Sequence, residues 1–372
     1  MDNRNEKLAH NLIYNSISLN ENENILVEVI GEDGLELANE IIKQAKIINA
    51  KPHLNIINYE DLRNFLIKAT KEDIIEYGKK DYEIMKKMQA YIGISAPTSD
   101  KSLKDVSQEK LELYNKYYTA LVHLEQRVKH TRWCILRYPN EYFAKKSNMT
   151  LNEFKDFYYN VCNVDYNKMK IAMEPLKELM NKTDKVHIVA PGTDLTFSIN
   201  GIPAEKYYGT FNIPDGEVAT CPVKNSVNGY ITYNTKTKYN DIVFEDIRFD
   251  FVDGKIIKAT AKENSKELNE ILDTDDGARY IGEFAFGLNP YINNTMCDTL
   301  FDEKINGSFH LTPGMALEES DNGNRSAIHW DIVKILRKES GGGEIYFDDI
   351  LVMKDGKFIL EELKKLNAEN LK

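Results

Sequence analysis

The segment NILVEVIG, residues 24–31, decides the fold class of the first third of the chain. It is a short run of branched apolar residues, and the stretch after it, EDGLELANEIIKQAKIINA, carries apolar residues at helical spacing. Similar runs recur at 51–58 (KPHLNIIN), 90–97 (AYIGISAP) and 132–139 (RWCILRYP). Because strands that alternate with helices form parallel sheets covered on both faces, this rhythm predicts an N-terminal α/β domain with a mostly parallel sheet.

The second half of the chain has a different pattern. Short alternating segments bounded by Gly, Asn and Asp follow one another, among them GYITYNT and GEIYFDDILVMKDGKFIL. They predict antiparallel strands and hairpins, with helices near 264–274 and 329–338, although 324–333 also fits a strand. We therefore predict a protein that is α/β (α+β overall), with an N-terminal α/β domain at 1–140, a helical connection at 141–183 and a β-rich, metal-binding catalytic domain at 184–372.

The composition disfavours several classes of function. The 372 residues are 42% apolar and carry a formal net charge of -11, a balance that disfavours nucleic acid or an anionic membrane as the main partner. No stretch approaches the roughly 18 apolar residues that cross a bilayer. The turn GEDG after the first strand is not the GxGxxG of a dinucleotide site. The N-terminus lacks a secretory signal and the four cysteines lack CxxC spacing, so we expect a cytoplasmic protein.

Four segments of the C-terminal half each combine a turn residue with a potential metal ligand. They are NIPDGEVAT with Glu217, YIGEFAFGLNP with Glu283, FDEKINGSFHLTPG with His310, and GNRSAIHWD with His329 and Asp331. In a strand, His329 and Asp331 would point to one face, with Trp330 turned to the other. The glycines ahead of Glu217 and Glu283 allow a tight turn that presents each carboxylate to a cleft.

These side chains form a donor set suited to one or two divalent ions of the zinc, cobalt or manganese kind. Two ions about 3.5–4 Å apart need a bridging carboxylate, which the set can supply, and water between them becomes a nucleophile near neutral pH. The sequence has no compact HExxH-type motif, in which one short segment holds several ligands. From the residues alone, each Glu and His could be an ordinary hydrogen-bonded polar side chain, and a solvated strand end is the favoured interpretation of any single Glu.

The order of the segments resembles the metallo-aminopeptidase family typified by aminopeptidases T, S and PepS. GTDLTFSING, at 192–201, resembles that family's segment ahead of the first ligand, and NIPDGEV resembles its Asn-x-Pro-x-x-Glu-Val turn. IGEFAFGLNP resembles its Gly-Glu segment. GSFHL and then GNRSAIHWD resemble its first histidine and its Gly-x-Asn-x-Ser-x-x-His-x-Asp run. Together the matches cover roughly residues 186–331.

This resemblance implies a two-domain fold, a dinuclear metal centre and the release of N-terminal amino acids from short peptides. It also implies a homodimer that restricts access to the site. The implied metal ligands are Glu217, Glu283, His310, His329 and Asp331. Glu283 is expected to bridge two divalent ions (Zn, Co or Mn) and to act catalytically on the proton of the attacking water. Asp194 in GTDLT is expected to be a structural hydrogen-bonding residue.

One position departs from the family pattern. After the first histidine, the family pattern resembles His-x-Ala-x-Gly-x-Ala-Tyr, and its tyrosine is taken to stabilise the tetrahedral oxyanion. Here the run is HLTPGMAL, so Leu317 stands where that tyrosine is expected. Leucine donates no hydrogen bond, and loss of an oxyanion donor costs about 10²- to 10³-fold in rate. Either another tyrosine substitutes in space, or peptide hydrolysis is weak or lost.

Two other functions stay open on the sequence. A His, His, Asp set around one Fe(II) is the arrangement of non-haem oxygenases, and ring-cleaving dihydroxypyridine dioxygenases resemble this family. The presence of Glu217 and Glu283 argues against that mononuclear non-haem iron dioxygenase, whereas Leu317 argues mildly for it. The third reading is a non-catalytic metal- or peptide-binding homologue.

Overall fold

A computed structural model describes residues 2–99 and 103–372. By its internal contacts the chain divides into two compact units, Met1–Asn163 with Gly209–Ile213, and Val164–Tyr208 with Pro214–Lys372. The division falls within the helical segment predicted at 141–183, and the domain boundaries given above stay predictions.

Strands and helices are numbered here in chain order. The strands are β1 Asn24–Ile30, β2 Lys51–Ile57, β3 Ala90–Ser95, β4 Arg132–Arg137, β5 Lys185–Ala190, β6 Thr193–Ser198, β7 Glu205–Tyr207, β8 Asn212–Ile213, β9 Glu217–Thr220, β10 Asn228–Thr232, β11 Thr237–Tyr239, β12 Ile242–Phe244, β13 Arg248–Val252, β14 Lys255–Thr260, β15 Ile281–Gly287, β16 Ser308–Pro313, β17 Ile332–Ile335, β18 Glu344–Phe347, β19 Ile350–Lys354 and β20 Lys357–Phe358. The α-helices are α1 Arg4–His10, α2 Leu35–Ile47, α3 Tyr59–Lys68, α4 Lys71–Met85, α5 Gln108–Tyr114, α6 Glu141–Lys146, α7 Leu151–Cys162, α8 Tyr166–Met180, α9 Ser265–Leu272, α10 Thr299–Asp302 and α11 Ala368–Leu371. Wider π-type turns continue α1 over Asn11–Ser16 and α5 over Asn115–Val128, and short 3-10 turns occupy Glu32–Gly34, Lys338–Ser340 and Glu361–Leu366.

The first unit is built on a parallel sheet with the strand order β2-β1-β3-β4-β8. Its interior strand β1 is buried along most of its length, and it carries the continuous apolar run that a strand covered on both faces requires. Helices connect successive strands, as the alternation in the sequence predicted. Among the described residues, no helix is both long enough and apolar enough to span a membrane.

The second unit is dominated by antiparallel sheets. One has eight strands in the order β14-β13-β10-β6-β5-β18-β19-β20, a second pairs β11 with β12, and a third has the order β17-β16-β15-β9-β7. Every residue of β15 and β16, which lie side by side in the third sheet, is buried. The predicted fold class, a parallel α/β part followed by a β-rich part, is confirmed.

One predicted helix is wrong. The helix expected near 264–274 is α9, but residues 332–335 of the stretch expected to be helical at 329–338 form strand β17. Ile328, Ile332 and Ile335 have the spacing of one helix face, which produced the error. Pairing of β17 with the buried strand β16 overrides that local preference, as long-range sheet contacts commonly do.

Candidate metal centre

The five side chains singled out in the sequence lie together on the sheet β17-β16-β15-β9-β7. Glu217 begins β9, Glu283 lies in β15, His310 lies in β16, and His329 and Asp331 immediately precede β17. The structure thus brings together residues that are as far apart in sequence as Glu217 and Asp331. All of them belong to the second unit.

The register of the sheet explains how three of them share a face. Glu217 lies opposite Gly287, and His310 lies opposite Ala285, on the two sides of β15. Directly opposed residues of antiparallel strands point to the same face, as do alternate residues of one strand. Glu283, Ala285 and Gly287 therefore follow one another along that face. The small side chains at 285 and 287 leave room between the larger polar groups.

The first group of donors consists of Glu217, Glu283 and His310. Nε2 of His310 lies 3.4 Å from Oε1 of Glu283 and 3.7 Å from Oε2 of Glu217. One donor atom from each residue lies within 4.8 Å of the others, and all three residues are buried. Two carboxylates and one imidazole at this spacing can bind a divalent ion.

The second group consists of Glu283, His329 and Asp331, and meets the same 4.8 Å criterion. Nε2 of His329 lies 3.2 Å from Oε2 of Glu283 and 3.3 Å from Oδ1 of Asp331. Nδ1 of His329 lies 2.9 Å from the Met315 carbonyl oxygen, to which it can donate, and this leaves Nε2 as the atom directed at the carboxylates. Thr312 donates a 2.6 Å hydrogen bond to Asp331. Glu283 is the residue that the two groups share.

Two observations indicate that a metal ion fits these residues. Oε2 of Glu217, which lies 3.7 Å from Nε2 of His310, is a buried polar atom without a hydrogen-bond partner among the described residues. Buried polar atoms are rarely left unsatisfied, because the loss of hydration costs free energy that a ligand or ion has to offset. The side chain of His329 is 36% exposed whereas that of His310 is 1% exposed, so the group is open to solvent on the His329 side.

The pKa values reflect the excess of carboxylates. Burial raises the pKa of Glu217 to about 7, although Lys304 opposes the rise. Burial disfavours the charged form of His329, yet Asp331 and Glu283 raise its pKa to about 12. The pKa of Glu283 is lowered in spite of its burial, because the two imidazoles hydrogen-bond to it. The site therefore attracts positive charge strongly, and a metal ion would take the place of protons on the imidazoles.

The structure requires glycine at both positions that precede the carboxylates. Gly216 has a φ of 133°, a conformation that side chains other than glycine rarely adopt. At Gly282, a Cβ would lie 2.2 Å from the carbonyl oxygen of Met315 and 2.5 Å from that of Gly314. Only glycine lets the 314–315 segment approach β15 so closely, and that same segment receives the hydrogen bond of His329.

Leu317 lies next to this segment, and its side chain has no hydroxyl group that could stabilise an oxyanion. Its backbone N–H lies 3.4 Å from the carbonyl oxygen of Gly282, the residue before Glu283. A tyrosine does stand beside the ligand set: Tyr207, in β7, is directly opposite Glu217. Burial raises the pKa of Tyr207 above its usual value, and the negative charges of Glu319 and Glu283 raise it further, so its hydroxyl stays protonated.

Asp194, Arg325 and Trp330, which lie in or beside the segments quoted above, are outside the group. Oδ1 of Asp194 lies 2.8 Å from Nε2 of His187, in keeping with a structural role. Arg325 pairs with Asp321 at 2.5 Å on the surface. Trp330 is buried, and its Nε1 donates to Thr237, so it packs behind the two residues that flank it.

The sequence analysis missed Glu303 and Lys304. Lys304 is 1% exposed and its Nζ lies 2.6 Å from Oε1 of Glu217, while the carboxyl of Glu303 hydrogen-bonds Asp331. The signal was present, because both residues belong to the segment FDEKINGSFHLTPG that was selected for His310. The segment was selected only for its histidine, and nothing in the sequence marks this lysine as buried.

Comparison with known proteins identifies relatives of this chain. A family model described as thermophilic metalloprotease (M29) matches residues 1–358. Aminopeptidase PepS of Streptococcus thermophilus is 25% identical over 381 residues, covering 88% of this chain and 91% of that protein. Aminopeptidase 2 of Geobacillus stearothermophilus is 25% identical over 322 residues, covering 74% and 75%. The solved structure of wild-type AmpT from Thermus thermophilus superposes with a TM-score of 0.78 at 19% identity, covering 96% and 99%, which supports the fold.

The position of Glu283 in both donor groups predicts a large effect of its removal. Glu283→Gln keeps the volume but removes the charge, so metal content measured by elemental analysis should fall to less than half of the wild-type value. Glu28→Gln is the matched control, since Glu28 is a buried carboxylate of the first unit and should leave metal content unchanged. Equal metal content in Glu283→Gln and wild type would remove Glu283 from the site.

The close approach at Gly282 gives a second prediction. Gly282→Ala should separate the 314–315 segment from β15, lower the free energy of unfolding by about 1–3 kcal/mol and weaken metal binding by displacing His329. Gly201→Ala is the comparison: a Cβ there meets nothing within 4 Å, its φ of 77° strains the backbone, and it is not among the donor residues. Thermal melts and metal titration should show a stability loss in both variants but weaker metal binding only in Gly282→Ala.

Proposed function

Because the chain belongs to the thermophilic metalloprotease (M29) family, we propose that it is an aminopeptidase that releases N-terminal amino acids from short peptides with two divalent metal ions. The metallopeptidase class expected from the order of the motifs is thereby confirmed, and the two-ion mechanism is our proposal. The observation that carries it is the pair of donor groups that share Glu283.

Charge supports two ions over one. Glu217, Glu283 and Asp331 carry up to three negative charges, neutral imidazoles add none, and the positive charge of Lys304 is shared with two further carboxylates, Glu303 and Asp215. A single divalent ion would therefore leave this largely buried set negative, which is costly at low dielectric. A second ion removes that excess of negative charge. The two oxygens of Glu283 face different imidazoles, which suits a bridging carboxylate.

Ions in these groups would supply a water of lowered pKa and polarise the peptide carbonyl. The chain's own residues orient that chemistry. Thr312 and the Met315 carbonyl fix Asp331 and His329, and the buried strands exclude bulk water from the remaining donors. We assign proton transfer from the attacking water to Glu283. The exposed His329 side is where a peptide would enter.

The other functions considered from the sequence are weaker. A mononuclear iron centre made of His310, His329 and Asp331 would leave Glu217 and Glu283 as buried carboxylates with too little positive charge. A non-catalytic homologue would have no need of the bridging geometry. Zinc, cobalt or manganese as the metal, a homodimer and a cytoplasmic location stay predictions drawn from the sequence.

Peptide hydrolysis tests the proposal directly. Protein stripped of metal and reloaded with Zn²⁺, Co²⁺ or Mn²⁺ should release the first residue of a tripeptide, and a chelator should abolish that release. The N-acetylated tripeptide should resist, because it lacks the ammonium. Two bound ions without release of any amino acid would support the non-catalytic reading. One iron per chain, with oxygen consumption on aromatic diols, would support the dioxygenase.

The leucine at position 317 gives a separate prediction. Leu317→Tyr restores a hydroxyl at the position where the family pattern has one, and an added oxyanion donor is worth about 10²- to 10³-fold in kcat. Leu317→Phe is the control because it adds the ring without the hydroxyl, and it should give no gain. Equal kcat in both variants would mean that another group already donates that hydrogen bond. Tyr207, which lies opposite Glu217, is the candidate for that group.

A further inference from the structure

Lys304 is a lysine enclosed within the candidate metal centre. Its side chain is 1% exposed, and its Nζ lies 2.6 Å from Oε1 of Glu217, 2.6 Å from Oε1 of Glu303 and 3.6 Å from Oδ1 of Asp215. A buried ammonium is costly unless carboxylates surround it, and here three of them do. Lys304 is therefore a fixed positive charge inside the site.

The backbone brings Lys304 to this place through a close approach at Gly287. A Cβ on Gly287 would lie 2.3 Å from the carbonyl oxygen of Ile305 and 2.9 Å from that of Glu303. Gly287 is also the residue of β15 that lies opposite Glu217. The absence of a side chain there lets the 303–305 segment rest on the sheet and places the Lys304 ammonium against Glu217.

The two oxygens of Glu217 consequently differ. Oε1 accepts the contact from Lys304, whereas Oε2 is buried, has no hydrogen-bond partner among the described residues and lies 3.7 Å from Nε2 of His310. A carboxylate with one oxygen held in this way can offer only the other oxygen to a metal ion.

We propose that Lys304 is a positioning residue that makes Glu217 a one-oxygen ligand and thereby determines metal binding at the position formed by Glu217, Glu283 and His310. The position formed by Glu283, His329 and Asp331 meets Lys304 only indirectly, through the hydrogen bond between Glu303 and Asp331. Thr312 and the Met315 carbonyl hold Asp331 and His329 independently of Lys304. The two positions are therefore unequal. This inference rests on the proposed two-metal function.

A merely structural lysine would behave differently. If Lys304 only balanced charge, its loss would strengthen the binding of both cations or lower the stability without any preference. A positioning role predicts that one position weakens and the other keeps its affinity. Metal titration separates these cases without any measurement of peptide hydrolysis.

The experiment compares Lys304→Met with Lys334→Met. Lys334 is the matched control, a buried lysine in β17 of the same sheet, whose Nζ donates to the carbonyl oxygens of Thr232 at 2.6 Å and Pro191 at 3.3 Å. Metal-free proteins are titrated with Zn²⁺ against a chromophoric chelator. Wild type should bind two ions, and Lys334→Met should bind each of them with the same affinity as wild type does. Lys304→Met should bind one ion as wild type does and the second about 10- to 100-fold more weakly, the usual effect of losing a residue that orients a ligand.

Two further variants guard against misfolding of Lys304→Met. Lys304→Gln removes the charge with a shorter side chain, and Gly287→Ala displaces the 303–305 segment while leaving Lys304 in the chain. Each should weaken the same single ion, with folding checked by circular dichroism.

Three results would overturn the inference: two ions bound by Lys304→Met with wild-type affinities, an equal gain or an equal loss of affinity for both ions, or a wild-type protein that binds one ion only. Failure of the proposed function is recognised separately. A wild-type protein that binds two ions but hydrolyses no peptide would refute the aminopeptidase, and the Lys304 titration would still decide the positioning role.

Discussion

The negative charge gathered on one buried sheet face is the constraint on which the second unit depends. Glu283 has a carboxylate oxygen within 4.8 Å of one of Glu217 and one within 4.8 Å of one of Asp331, and water screens the repulsion of such buried charges poorly. Side chains in such a position are tolerated only if cations or hydrogen-bond donors face them. The imidazoles of His310 and His329 and the ammonium of Lys304 meet part of that requirement, and metal ions complete it in our proposal.

The geometry of the centre is in turn a property of backbone pairing. The donors come from neighbouring strands, and each points to the shared face only because β9, β15, β16 and the start of β17 keep their register. A slip of one residue would turn a strand's ligand to the opposite face. Gly282 and Gly287 add a second layer of control, since they admit two backbone segments that fix His329 and Glu217. The site is therefore as precise as the sheet that holds it.

The parallel sheet and the five donor residues could be predicted from the sequence, each for a physical reason. The alternation around β1 predicted the parallel sheet because burial on both faces requires a continuous apolar run. The five donor residues could be selected because each stood beside a turn residue, but their convergence needed the order of the motifs. Lys304 could not be assigned, because a lysine beside a turn is usually solvated and only the packing at Gly287 encloses it. The false helix near 329–338 has the same origin, because local spacing carries no information about a partner strand.

The distance in sequence between the donors has a consequence for biosynthesis. Glu217 and Asp331 are separated by 114 positions, and the residues that complete either donor group are translated last. A nascent chain that has left the ribosome only as far as β15 contains two carboxylates and no imidazole partner for them. In our proposal, the group of Glu217, Glu283 and His310 can therefore be completed only after β16 has joined the sheet, and the group of Glu283, His329 and Asp331 only after the segment leading into β17 has done so.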